Sequence, residues 1–126
     1  MNHRILVVDD DLDLRETLMS VLEDAGYDVT GAGNGVEALA SLRGAGPLPC
    51  LIFLDLMMPV MDGATFRAEQ LADPMLASIP VVVISAYQDV ASHAARLAAE
   101  HLAKPIGYAA INACARRFCP DGARAS

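Results

Sequence analysis

Leu51-Ile52-Phe53-Leu54-Asp55-Leu56-Met57-Met58-Pro59-Val60-Met61-Asp62-Gly63 decides how the chain reads. Four apolar residues run into one acid, and breakers follow at once. A short apolar run bounded this way predicts a fully buried strand. Pro59 and Asp62-Gly63 turn the next segment off the sheet. Asp55 then stands at the carboxyl end of the strand, where open α/β sheets place their ligands. On this stretch alone Asp55 could equally cap a turn or a helix.

The same pattern recurs on either side. Ile5 to Val8 is a second buried run and ends in Asp9-Asp10-Asp11. Leu14, Leu18, Val21, Leu22 and Ala25 then share one helical face, with Asp11 or Asp13 to cap its start and Gly26 to suit its end. Tyr27 to Ala32 is partly polar and predicts an edge strand. Asn34 caps a helix that turns Val36, Leu39 and Leu42 inward. After Gly63 a helix runs to about Ala72, with Ala64, Phe66, Ala68 and Leu71 as its apolar candidates, and Asp73-Pro74 ends it. Val81 to Ile84 is a third buried run and stops at Ser85. Asp89 can cap a fourth helix carrying Val90, Ala94 and Leu97. A short strand from Glu100 to Ala103 leads to Lys104-Pro105. A fifth helix places Tyr108, Ile111, Ala115 and Phe118 on one face, and Pro120 stops it. Five alternations of strand and helix predict an α/β fold with one parallel sheet covered on both faces.

The chain has 126 residues, 54% of them apolar, which suffices for a single core. Its formal charge of −7 leaves no basic footprint for nucleic acid. No apolar stretch is long enough to span a membrane, and the amino terminus is unlike a secretory signal. Cys50, Cys114 and Cys119 form no CxxC pair and read as reduced packing residues of a cytoplasmic protein. His3, His93 and His101 lack metal-ligand spacing.

In a parallel sheet all carboxyl ends lie on one edge. Asp9, Asp10, Asp55, Ser85 and Lys104 can therefore converge. Two acids about 4 Å apart repel by ~1 kcal/mol in water and ~4 kcal/mol at an effective dielectric near 20. Such a cluster calls for a cation, and oxygen-only ligands with open positions suit Mg²⁺. A lysine and a hydroxyl opposite the metal would hold phosphoryl oxygens. The chemistry that fits is phosphoryl transfer to the Asp55 carboxylate.

Val8-Asp9-Asp10, Leu54 to Pro59 with Asp62-Gly63, Ile84-Ser85-Ala86 and Lys104-Pro105 together resemble the receiver domain of two-component response regulators. The resemblance covers about Arg4 to Phe118. It implies a flavodoxin-like, doubly wound sheet in strand order 2-1-3-4-5 with five helices. It also implies that Asp55 accepts a phosphoryl group from a histidine kinase or phosphotransfer protein. Asp10, Asp55 and the Met57 carbonyl would hold Mg²⁺, with Asp9 acting through water. Ser85 and Ala86 would meet the phosphate and switch, Lys104 would pair with it, and the Lys104-Pro105 peptide would be cis. The partner surface would be the fourth helix, fifth strand and fifth helix.

The sequence departs from that family at two places. His101 stands where the family has Tyr or Phe, so it is either the switch ring or an exposed histidine. The segment from Ser85 to Lys104 is about one helical turn short, with Leu97-Ala98-Ala99 in place of Gly-Ala. Met57 and Tyr87 either shield an acyl phosphate or pack their loops. The expected organisation is a receiver over residues 1–119, a tail over 120–126 and no output domain. Beyond self-phosphorylation and slow self-dephosphorylation no enzyme activity is expected. The competing readings are a phosphorylation-independent scaffold and an aspartyl-nucleophile Mg²⁺ phosphohydrolase.

Overall fold

A computed structural model describes residues 3–44, 46–56, 58, 60–85, 99–104 and 106–120. Five strands alternate with helices: β1 (Arg4–Val8), α1 (Leu12–Asp24), β2 (Asp28–Ala32), α2 (Gly35–Leu42), β3 (Leu51–Asp55), α3 (Gly63–Ala72), β4 (Val81–Ser85), β5 (Glu100–Ala103) and α4 (Tyr108–Phe118). The strands are parallel and ordered β2-β1-β3-β4-β5. This is the expected topology. The expected helix after Asp89 falls at residues 86–98, outside the described residues, so α4 is the helix anticipated as the fifth.

The sheet forms because its central strands are apolar on both faces. Leu6, Val8, Ile52, Leu54, Val81 and Val83 pack with Leu39 and Leu42 of α2 and Phe66 of α3. Ile5, Val7, Leu51, Phe53, Val82 and Ile84 pack on the other face with Leu18 and Leu22 of α1 and Ile111 and Ala115 of α4. Successive strand residues thus enter opposite layers. The edge strand β2 has only Val29 and Ala32 buried.

Local signals fix the helix ends. Asp11 accepts from the Leu14 amide, Asn34 from Glu37 and Asp62 from Thr65, three side-chain caps at the expected starts. Gly26 closes α1 with φ of 104°, a conformation open to glycine at little steric cost.

Three helix faces differ from expectation. In α2, Val36 is exposed while Ala38 lines the core with Leu39 and Leu42. In α4, Tyr108 is exposed at the first turn. In α3, Ala64, Ala68 and Leu71 face solvent, and Phe66, Arg67 and Gln70 are buried. The reason is a polar network. Gln70 Nε2 donates to the carbonyls of Leu76 (2.9 Å) and Ile79 (3.0 Å), and its Oε1 accepts from Arg67 Nη1 (2.8 Å). A turn after α3 has carbonyls pointing into the protein, and a buried amide satisfies them. Gln70→Met removes that donor and should cost about 2 kcal/mol, read as a lower urea midpoint at unchanged m-value.

The cysteines also differ. Cys50 and Cys119 are joined as a disulfide across 69 residues, with Cα atoms 5.8 Å apart, and Cys114 is free. Sequence spacing carries no sign of this pairing, because the sheet brings the start of β3 beside the end of α4.

Candidate active site at the carboxyl edge of the sheet

Four of the five strand ends deliver polar residues to the same edge. Val8 pairs with Leu54, so Asp9 and Asp55 emerge side by side from β1 and β3. Asp55 pairs with Ile84 and Ser85 with Ala103, which brings Ser85 and Lys104 to the next positions along. The Lys104 amide donates to the Ser85 carbonyl at 2.9 Å and extends that ladder by one step. Asp9, Asp55 and Ser85 are buried, whereas Asp10 is exposed. Lys104 reaches back over the edge: its Nζ is 3.2 Å from Asp9 Oδ2 and 3.6 Å from Asp55 Oδ2.

Oxygens of Asp9, Asp10 and Asp55 all lie within 4.8 Å of one another. Three carboxylates face one ammonium, so the pocket carries a net negative charge. At that spacing each acid pair repels by roughly 3–4 kcal/mol at an effective dielectric near 20. Asp9 Oδ1 accepts from the Asp11 amide at 3.0 Å. Asp9 Oδ2 is enclosed and makes no hydrogen bond, although it is within ion-pair reach of Lys104. Three carboxylates converging beside a single ammonium, with an open mouth at Asp10, fit a hard divalent cation such as Mg²⁺.

The loops are built around this pocket. Gly63 opens α3 directly under β3, and its amide donates to the Leu56 carbonyl at 3.0 Å. A Cβ at Gly63 would stand 2.7 Å from the Asp55 carbonyl oxygen and 2.8 Å from Leu56 Cα. Close backbone approach, rather than an unusual dihedral, demands glycine here. Val60 has φ of 70° and is exposed, a sparsely populated conformation for a β-branched residue.

Arg15 was not singled out from sequence. Its Nη1 donates to the Asp9 main-chain carbonyl at 2.7 Å and braces the β1–α1 turn. A half-buried arginine beside the apolar face of a helix gives no sequence signal for this contact. His101 is exposed on β5. Met57, Ala86, Tyr87 and Pro105 lie outside the described residues, so the Met57 carbonyl, the shielding pair and the cis peptide do too.

Residues 5–116 match the model of the response regulator receiver domain. The chain is 40% identical over 89 residues to the DNA-binding response regulator MtrA of Mycobacterium tuberculosis, which covers 71% of this chain and 37% of that protein. It thus spans well under half the length of the curated relatives first matched. Among solved structures it resembles the chemotaxis response regulator CheY4 of Vibrio cholerae, with TM-score 0.83 and 26% identity over 94% of this chain and 99% of that one. It also resembles the response regulator TrrA of Thermotoga maritima, solved in complex with Mg²⁺–BeF, with TM-score 0.80 and 29% identity over 94% and 99% of the two chains.

Proposed function

The chain belongs to the response regulator receiver domain family, and from that premise we propose that it is a phosphorylation-activated switch with Asp55 as acceptor. The observation that carries this reading is the convergence of three carboxylates within 4.8 Å under the Lys104 ammonium. The donor is a histidine kinase or phosphotransfer protein.

Asp55 is placed to attack. Its carboxylate forms the new bond to phosphorus, and the phosphohistidine nitrogen–phosphorus bond breaks in line. Lys104 already sits against the Asp55 carboxylate and follows the added charge onto the phosphoryl oxygens. Ser85, at the end of the neighbouring strand, offers a hydroxyl to another of them. Asp10 and Asp55 would hold Mg²⁺, with Asp9 acting through water. When bound, that ion neutralises charge on the transferring group. TrrA, a structural relative, was solved with Mg²⁺ and a beryllium fluoride group, which supports the same ligand class here.

Phosphorylation shifts a pre-existing equilibrium by its different affinity for two states. The surface that reads the shift comprises β5, α4 and the segment 86–98 before them. His101, exposed on β5, belongs to that surface. The net charge of −7 favours a protein partner over nucleic acid. Among the described residues no helix is long and apolar enough to cross a membrane, in keeping with a cytoplasmic setting. Catalysis is limited to self-phosphorylation and slow self-dephosphorylation.

Incubation with purified phosphohistidine donors tests the reading. The chain should take one phosphoryl group in the presence of Mg²⁺ and turn over no phosphate monoester. Steady turnover of a small monoester would instead favour a phosphohydrolase. Failure with every donor would favour a scaffold.

A further inference from the structure

The cysteine pair lies at the opposite end of the sheet from the acid pocket. Cys50 immediately precedes β3, whose far end is Asp55, and Cys119 immediately follows α4. Their bond therefore ties the carboxyl end of α4 to the entrance of the central strand. We propose that Cys50 and Cys119 form a reversible redox clamp on that end of α4, exchanged with a low-molecular-weight disulfide.

Both oxidation states are accommodated by the surroundings. Cys50 Sγ is 3.3 Å from the Arg4 carbonyl oxygen, so a reduced thiol has an acceptor already in place. The Cys50 amide donates to that same oxygen at 2.8 Å and holds the residue whether or not the bond is made. Cys119 is buried among Tyr27, Ile111 and Ala115, an apolar site that suits a reduced thiol as a small packing group. Its amide donates to the Ala115 carbonyl at 2.7 Å, which keeps the thiol near its partner after reduction. Disulfides in reducing compartments are usually transient or sensing, and neither half of this one is left polar and unsatisfied when opened.

The exchange balances as follows. The Cys50 thiolate, on the more accessible residue, attacks the small disulfide and releases one small thiol. Cys119 then attacks the mixed disulfide at Cys50 and releases the second. Two electrons pass from the protein to the small disulfide, and the two cysteine protons leave with the two released thiols. Cys114 stands apart. Burial, and next the Glu100 charge, push its thiol above the usual range against an opposing Arg117, so its thiolate is scarce.

With the bond open, the last turn of α4 keeps its packing, its helical hydrogen bonds and the exposed ion pair of Arg117 with Glu100. That helix belongs to the surface assigned above to partner recognition, so the clamp gives redox state a route to that surface. The clamp itself is independent of the phosphoryl chemistry.

The test uses the full chain equilibrated in glutathione buffers of varied ratio, followed by differential alkylation and peptide mapping. The expected result is one alkylated cysteine, Cys114, under oxidising buffer and three under reducing buffer, with full return on reversal. Amide exchange at Phe118 and Cys119 should be at least about tenfold faster in the reduced form, while the β3 amides stay protected in both. Cys50→Ser should match the reduced protein at every ratio. Three free thiols throughout would overturn the proposal. So would a bond to Cys114, equal exchange in the two forms, or a Cys50→Ser variant as protected as the oxidised protein.

Discussion

Replacing Asp55 with asparagine will abolish phosphoryl uptake and leave the folded state more stable than the wild type in metal-free buffer. The two effects come from one geometry. Asp55 stands within 4.8 Å of Asp9 and Asp10, and its contact with Lys104 is the looser of the two that lysine makes, 3.6 Å against 3.2 Å to Asp9. Neutralising it weakens both repulsions and its ion pair with Lys104. At an effective dielectric near 20 each repulsion is roughly 3.5 kcal/mol and the attraction about 4.6 kcal/mol, so about 2 kcal/mol of repulsion remains after cancellation. The open mouth at Asp10 screens much of it, so the expected net gain is about 1 kcal/mol. Urea unfolding in the presence of a chelator measures this directly. Adding Mg²⁺ should reverse the order, because the ion stabilises the wild type in proportion to its occupancy and finds one ligand fewer in the variant. A variant less stable than wild type in chelator would show that Lys104, not mutual repulsion, dominates the pocket.

Gly63→Ala has the largest expected effect on stability. The added methyl meets the Asp55 carbonyl oxygen and Leu56 Cα below 3.0 Å, and both are backbone atoms of the central strand and its exit. Neither can swing away as a side chain could. Overpacking of this kind costs about 3 kcal/mol, the upper part of the usual range. For a domain of this size that lowers Tm by roughly 10 °C. The strand end must also shift to make room, so phosphoryl uptake should slow and Mg²⁺ should stabilise the variant less. Gln70→Met serves as the comparison. It is similarly destabilised but acts on the turn after α3, away from the acids, and its Mg²⁺ response should stay that of the wild type. Equal Mg²⁺ responses in the two variants would mean that Gly63 does not position Asp55.

The strands and the pocket were legible in the sequence for the same reason. Buried parallel strands read as unbroken apolar runs, and the residue ending each run is placed by topology alone. Val8, Asp55, Ser85 and Ala103 needed no contact information to be set on one edge. Helix faces were less legible where tertiary demands override apolarity. Gln70 is buried because carbonyls of Leu76 and Ile79 need a donor, which left Ala64, Ala68 and Leu71 outside. The Cys50–Cys119 bond and the Arg15 brace join residues whose proximity exists only after folding. Gly63 was seen as part of a turn signal, but its contact with the backbone of Asp55 and Leu56 is a feature of packing that no dipeptide pattern encodes.

Locating the phosphoryl group on the chain tests Asp55 as the acceptor. The protein is incubated with acetyl phosphate and Mg²⁺, its intact mass is read, and the acyl phosphate is trapped by borohydride reduction for peptide mapping. The expected result is a single adduct that requires Mg²⁺ and maps to Asp55. No adduct, an adduct indifferent to Mg²⁺, or one on Asp9 or Asp10 would contradict it.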